Sequence, residues 1–222
     1  HYPGTDPTRL RTIARGIDPA QFPHRPHPDP TARAQLAQLH PALAGTGPLL
    51  LLPGRGTRLK GHADALQLLA TLRAGAFPDA RLWLPGARQA GREAYIEELQ
   101  AQARALGVDA VVAFTAPTSH MAQAYAGCDL VLQLSRKPEA FGRTVVEALS
   151  VGRPVLGWAH GGVGELLAQL QPSGAVAPFD ADALAATATG LLRAPPSPPA
   201  TIPFTLQAMQ QQTLDLYAEL AG

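Results

Sequence analysis

Short apolar runs alternate along this chain with longer segments in which apolar residues recur every three or four positions. The six short runs lie at 49–52, 82–84, 111–114, 130–134, 155–156 and 175–176. They lack polar alternation, which is typical of strands that are covered on both faces of a parallel sheet. Repeated β-then-α order with right-handed crossovers therefore predicts an α/β fold with a single Rossmann-like, doubly wound parallel sheet.

The segments flanking this pattern predict the organisation of the chain. Residues 1–193 are expected to form one domain, and the four prolines of 22–31 favour a surface loop that leads into a helix around 32–39. The segment APPSPPATIP at 194–203 predicts a stiff connector. Beyond it, apolar residues at helical spacing predict an amphipathic helix within 204–222.

Composition excludes several classes of function. A chain of 222 residues suffices for one α/β domain and is short for two. Eighteen basic residues against seventeen acidic ones leave no excess of positive charge that would capture nucleic acid. A lone cysteine, Cys128, excludes an internal disulfide framework and favours a reducing, cytoplasmic setting. No apolar run approaches the roughly 20 residues of a membrane-spanning helix.

Metal binding finds little support in the sequence. The only D-x-D string, Asp180 to Asp182, precedes a helical segment and predicts a helix N-cap. His24 and His27 lie in the proline-rich loop without a third ligand nearby. We therefore expect no metal and no tightly bound cofactor, and we expect Cys128 to be a small buried apolar residue.

A glycine-rich turn follows the first predicted strand. Its sequence is GRGTRLKG at 54–61, and it carries Arg55 and Lys60, one of only two lysines in the chain. Ligands bind at the carboxyl ends of strands in open α/β sheets, and backbone N–H groups with two cations suit a diphosphate. The G-K-[ST] ending of a Walker A loop is absent. A solvated turn with surface arginines remains the alternative.

A second candidate follows the fourth predicted strand, in the string PEAFGRTVVEA at 138–148. Glu139 and Glu147 are separated by seven residues, and the N–H groups of residues 141–144 would be free if a helix begins near Gly142. Carboxylates accept hydrogen bonds from hydroxyl pairs, so this arrangement suits sugar and ribose hydroxyls that flank a phosphate. The alternative is an ordinary helix N-terminus with an Arg143–Glu147 pair.

Taken together, the two motifs resemble the C-terminal, donor-binding domain of a family 4 retaining glycosyltransferase of the GT-B fold. The resemblance covers about residues 11–192, and its specific parts are the GR…KG pair and the E-x7-E pair. Supporting strings are RGID, AYAGCDLVLQLS, GRPVLGWAHGGVGELL and SGAVAPFDADALA. We expect the two loops to converge on one pocket, with cationic and acidic side chains on opposite sides of a bound sugar nucleotide.

The resemblance implies roles for matching residues. Arg55 and Lys60 would neutralise the donor diphosphate as charge develops on the leaving nucleotide, and with Glu139 they form the expected catalytic set. Glu139 would contact the transferred sugar. Further donor contacts are implied for Phe141, Gly142, Arg143 and Thr144 through main-chain N–H groups, for Glu147 on the ribose, and for Phe114 and Thr115 beside the base.

The resemblance also implies an intact enzyme that is larger than this chain. It would need no metal and would transfer a hexose-like sugar to a glycan or lipid-linked acceptor, as in bacterial surface-glycan or lipopolysaccharide synthesis. The acceptor-binding half would be missing here, together with any contact with the inner membrane, so the chain alone would bind nucleotide without turnover. Two alternatives stay open: a stand-alone donor-binding subunit, and a GT-B sugar-nucleotide epimerase or phosphorylase.

Overall fold

The computed structural model describes residue 4 and residues 6–221, and it contains one six-stranded sheet. All strand pairs are parallel, in the order β3-β2-β1-β4-β5-β6. The strands are β1 Leu49–Leu51, β2 Arg81–Pro85, β3 Val112–Thr115, β4 Leu130–Gln133, β5 Val155–Trp158 and β6 Ala175–Val176. Each lies on one of the six apolar runs, so the predicted α/β, Rossmann-like fold is confirmed.

Eight α-helices are found in the described residues. They are α1 Pro30–Leu39, α2 His62–Ala74, α3 Glu93–Ala105, α4 Met121–Gly127, α5 Arg143–Val151, α6 Gly161–Leu170, α7 Ala181–Arg193 and α8 Leu206–Ala221. Asp29 caps α1 by accepting from the N–H groups of Thr31 and Ala32, so this helix begins two residues before the predicted start. The predicted C-terminal helix is α8.

The sheet buries apolar side chains on both faces, which explains the absence of polar alternation in its strands. Leu50, Leu82 and Leu132 pack in one cluster with residues of α2, α3 and α7. Leu51 and Val131 point to the opposite cluster, which contains residues of α4, α5 and α6. Because successive side chains of a strand point to opposite faces, every position of the central strands is buried.

The strand order reverses direction between β1 and β4. The chain proceeds outward from β1 through β2 to β3, returns to pair β4 with β1, and then proceeds outward the other way. The loops that follow β1 and β4 therefore leave the carboxyl edge of the sheet side by side. This is the position at which doubly wound sheets bind ligands.

Helix α8 is set apart from both clusters. None of its residues is buried, and Leu214, Tyr217 and Leu220 are 61%, 64% and 75% exposed. It is joined to the rest of the molecule where Leu206 N donates to Ile17 O at 2.7 Å. Over the described part of the chain, no helix combines the length and the apolar character that crossing a bilayer requires.

Candidate functional site

The loop after β1 packs against the residues that follow β4. Gly61 adopts φ +74°, and a Cβ built on it would lie 2.1 Å from Leu134 O, so only glycine fits this position without displacement. The N–H of Arg136 donates to Leu59 O at 2.8 Å and ties the two loops together. The GRGTRLKG turn and the segment that leads to Glu139 are therefore neighbours.

Lys60 and Glu139 meet where these loops touch. Lys60 Nζ lies 2.6 Å from Glu139 Oε1, and the side chains are 27% and 25% exposed. The hydroxyl of Ser135, two residues after the end of β4, donates to the same carboxylate oxygen. Burial raises the pKa of Glu139, but hydrogen bonds from Lys60 and Ser135 and the charge of Lys60 outweigh burial, so the net shift is downward. Glu139 is therefore an anion at neutral pH.

Arg55 lies in the same loop as Lys60, but its side chain points into solvent. Within the described residues, no hydrogen bond or ion pair reaches its guanidinium group. The structure therefore brings Lys60 to Glu139 directly and leaves Arg55 as an exposed cation on the glycine-rich turn. In the ligand-free protein Lys60 contacts Glu139 directly, and the opposition of cations and carboxylates across a bound ligand stays a prediction.

The N-terminus of α5 offers unpaired N–H groups beside this ion pair. Gly142 is the N-cap residue of α5, with φ +107°. As a glycine it has no side chain that could accept a hydrogen bond from the first N–H groups of the helix. Within the described residues, none of the N–H groups of residues 141–144 donates a hydrogen bond. The loop is held from the other side, where the N–H of Gly162 donates to Glu139 O at 2.8 Å. Free N–H groups at a helix N-terminus favour an anion such as a phosphate.

Glu147 lies one helical turn into α5 and is enclosed by the protein. Its side chain is 7% exposed. Arg143 Nε lies 2.8 Å from its Oε1, and the hydroxyl of Tyr125 in α4 donates to its Oε2 at 2.8 Å. The Arg143–Glu147 pair that the sequence offered as the ordinary explanation is thus present. A role of Glu147 towards ribose stays a prediction.

Phe114 and Thr115 lie at the end of β3, with β2 between them and β1. Thr115 O accepts from the N–H groups of Gly86 and Arg88, and Phe114 O accepts from Arg88 Nε at 2.8 Å. Two cavities of about 430 and 280 Å³ share Thr115 and His40 in their walls. The carbonyls of both residues are therefore already hydrogen-bonded, while the strand end borders open space, and their place beside a base stays a prediction.

Sequence reasoning missed Ser135 and His62, and His160 is a third residue that lies next to this site. His160 Nε2 lies 2.8 Å from Ser135 O, which ties the loop after β5 to this site. His62 is the fully buried first residue of α2, directly after the glycine-rich turn. Burial lowers the pKa of His62 to about 4, despite opposing contributions from the backbone of Thr57 and Gly54. Ser135 had a signal in the sequence, because it directly follows an apolar strand.

Other residues singled out in the sequence lie outside this site. Asp180 caps α7 by accepting from Ala183 N at 2.9 Å, as predicted for the D-x-D string. Cys128 is buried at the α4–β4 junction, and Lys137 is exposed. In the portion of the chain that the structure describes, no three His, Cys, Asp or Glu side chains come together in a metal-binding arrangement.

Comparison with known proteins identifies relatives of this chain. A family model described as "Glycosyl transferases group 1" matches residues 40–203. The D-inositol 3-phosphate glycosyltransferase of Xylanimonas cellulosilytica is 32% identical over 162 residues, which are 72% of this chain and 37% of that protein. The chain thus spans well under half of the length of this relative.

Solved structures share the fold over nearly the whole chain. A glycosyltransferase from Rickettsia africae superposes with a TM-score of 0.83 at 21% identity and covers 97% of this chain and 58% of its own. Anabaena Alr3699/HepE, solved in complex with UDP and glucose, gives 0.81 at 24% identity, with 97% and 59% covered. The C-terminal domain of a group 1 glycosyl transferase (LpcC) from Francisella tularensis gives 0.62 at 18% identity, with 91% and 98% covered. The chain belongs to the group 1 family of glycosyl transferases and has the fold of GT-B enzymes.

Proposed function

We propose that this chain is the nucleotide-sugar-binding half of a metal-independent, retaining glycosyltransferase of family 4. The observation that carries the proposal is the contact between Lys60 and Glu139, which joins the loops after β1 and β4 at the reversal of strand order. A bound diphosphate would lie among Lys60, Arg55 and the free N–H groups at the start of α5. The sugar would contact Glu139.

The ion pair explains how one site can hold both a phosphate and a sugar. In the free protein, Lys60 and Glu139 neutralise each other in a partly buried position. A diphosphate supplies negative charge that Lys60 can bind instead, and Glu139 is then free to accept hydrogen bonds from sugar hydroxyls. Anabaena Alr3699/HepE was crystallised with UDP and glucose, and a similar donor fits this proposal.

Calorimetric titration of the chain with UDP, GDP and ADP tests the proposal. We expect one of the three to bind, and we expect this binding to persist in EDTA, since the cations of the site are side chains. The absence of binding by all three nucleotides at millimolar concentration would contradict the proposed function.

The chain contains its own control for the role of Lys60. Lys60→Ala should weaken the binding of the preferred nucleotide by about 1.5–3 kcal/mol, the usual contribution of a charge-assisted hydrogen bond. Lys137→Ala removes the only other lysine, which is exposed and makes no ion pair in the described residues. Equal affinities of the Lys60 and Lys137 variants would remove Lys60 from the site. Arg55→Ala is compared in the same way with Arg193→Ala, at the exposed end of α7.

The finer parts of the proposal concern the longer enzyme of which we propose that this chain is one half. Its relatives extend well beyond the matched region, and we place the acceptor-binding half and any membrane contact in residues outside this chain. The acceptor would be a glycan or lipid-linked molecule in a reducing, cytoplasmic compartment, which suits a lone buried cysteine. NMR of the product of the longer protein tests retention, because a retained anomeric configuration is expected and an inverted one would refute this part.

A further inference from the structure

The two oxygens of the Glu147 carboxylate are held in different ways. Oε2 accepts a hydrogen bond from the hydroxyl of Tyr125, whose side chain is among the largest fully buried ones in the molecule. Oε1 accepts from Arg143 Nε, and the Arg143 side chain is 66% exposed. The Arg143 side chain can rotate into solvent and release Oε1, whereas the buried Tyr125 hydroxyl stays in contact with Oε2.

Tyr125 is fixed as a donor by its surroundings. It lies in α4, packs against the ring of Phe22 at 6.1 Å between centroids, and belongs to the cluster beneath α5. Burial, and then the charge of Glu147, raise the pKa of Tyr125 well above its usual value. The phenol therefore keeps its proton at neutral pH and donates it to Oε2 of the carboxylate.

We infer that Tyr125 is a positioning residue that aims Oε1 of Glu147 at a ribose hydroxyl of the bound nucleotide. In the free protein Arg143 occupies this oxygen, and the ligand hydroxyl replaces the arginine. The inference rests on the proposed function, since it requires a nucleotide in the site. Holding one carboxylate oxygen fixes the direction of the other, and an acceptor that is already oriented loses less entropy when the ligand binds.

The measurable consequence is selectivity between ribose and deoxyribose. A hydroxyl that donates to an oriented carboxylate should favour the ribonucleotide by about tenfold or more over its 2′-deoxy counterpart. In Tyr125→Phe the carboxylate gains rotational freedom and loses a hydrogen bond at Oε2. We expect this variant to bind the two nucleotides within about twofold of each other, chiefly through weaker binding of the ribonucleotide.

The experiment is a calorimetric titration of the chain with the best binder among UDP, GDP and ADP, and with its 2′-deoxy form. Tyr95→Phe is the matched control, because Tyr95 is only partly buried and its hydroxyl makes no hydrogen bond within the described residues. Glu147→Gln and the double variant with Tyr125→Phe complete a double-mutant cycle. If Tyr125 acts through Glu147, the double variant has the same ribose preference as Glu147→Gln alone.

The outcomes separate the two proposals. If the wild-type chain binds none of the nucleotides, the proposed function fails. If it binds a nucleotide without preferring ribose, or if Tyr125→Phe weakens both forms in parallel, the positioning role is overturned. Arg143→Met provides a test that does not alter the buried tyrosine: it should keep or widen the preference for ribose, and loss of the preference in this variant would refute the exchange at Oε1.

Discussion

At the scale of single residues, His62 is a fully buried titratable group directly after the glycine-rich turn. Its imidazole is fully buried, and neither ring nitrogen reaches a partner in good hydrogen-bond geometry among the described residues. A charged imidazole there would lose its hydration, and the nearby backbone of Thr57 and Gly54 compensates for only part of that loss, so the folded protein keeps His62 neutral at pH 7. Its pKa of about 4 compares with 6.5 for an exposed histidine.

This difference in pKa makes the stability of the fold depend on pH. Between pH 6.5 and 4 the unfolded chain binds a proton at His62 and the folded chain does not, so the free energy of unfolding falls as the pH is lowered through this window. From pH 7 to pH 5 the loss from this residue is about 2 kcal/mol. We expect urea denaturation to show that His62→Gln loses about that much less than the wild type. His27→Gln, at an exposed position, controls for removal of an imidazole.

Contacts between individual side chains are also what the sequence could not predict. Glu147 was expected to face a ligand, but nothing in the periodicity indicated that a phenol 22 residues earlier would hold it. A tyrosine between two alanines of α4 was the available signal, because a buried tyrosine usually has a hydrogen-bond partner. Contacts of this kind depend on how two helices pack, and sequence spacing within either helix does not determine that.

At the scale of elements, we expect the substitution of glycine by alanine to change the free energy of unfolding in opposite directions at two positions, Gly61 and Gly190. Gly61 precedes α2 in the left-handed region at φ +74°, with Leu134 O directly over its open side. Gly61→Ala should lower the free energy of unfolding by about 2 kcal/mol or more, since the left-handed conformation alone costs about 1–2 kcal/mol and the loop must also move away from β4. Denaturant titration measures the loss, and calorimetry should show weaker nucleotide binding as Lys60 shifts.

Gly190 supplies the matched comparison within α7. It lies inside the helix, and a Cβ on it would have no neighbouring atom within 4 Å. Gly190→Ala should therefore raise the free energy of unfolding by about 0.5–1 kcal/mol, because alanine loses less backbone entropy in a helix interior. A stabilising Gly61→Ala, or a destabilising Gly190→Ala, would contradict the local geometry described for these positions.

At the scale of the whole molecule, the sheet could be predicted because its burial is unusually uniform. Central parallel strands are apolar on both sides, so each appeared as a short continuous run, and the run order with its crossovers determined the fold class. Boundaries were less certain: the run at 111–114 begins inside a short 3-10 turn, and β3 starts at Val112. Topology placed the two candidate loops at one edge, but it could not show that Lys60 and Glu139 touch.

The same uniform burial predicts where the stability of the molecule resides. Leu132 in β4 is fully buried between the helical layers, whereas Leu214 in α8 is 61% exposed. Leu132→Ala should cost about 2–5 kcal/mol in the free energy of unfolding, and Leu214→Ala less than about 0.5 kcal/mol. Hydrogen exchange should likewise show slow amides in β1 and β4 and fast ones along α8, since opening that helix exposes no buried core. If Leu214→Ala proved as costly as Leu132→Ala, α8 would have to be covered in solution, and a dependence of stability on protein concentration would then identify a second copy of the chain as the cover.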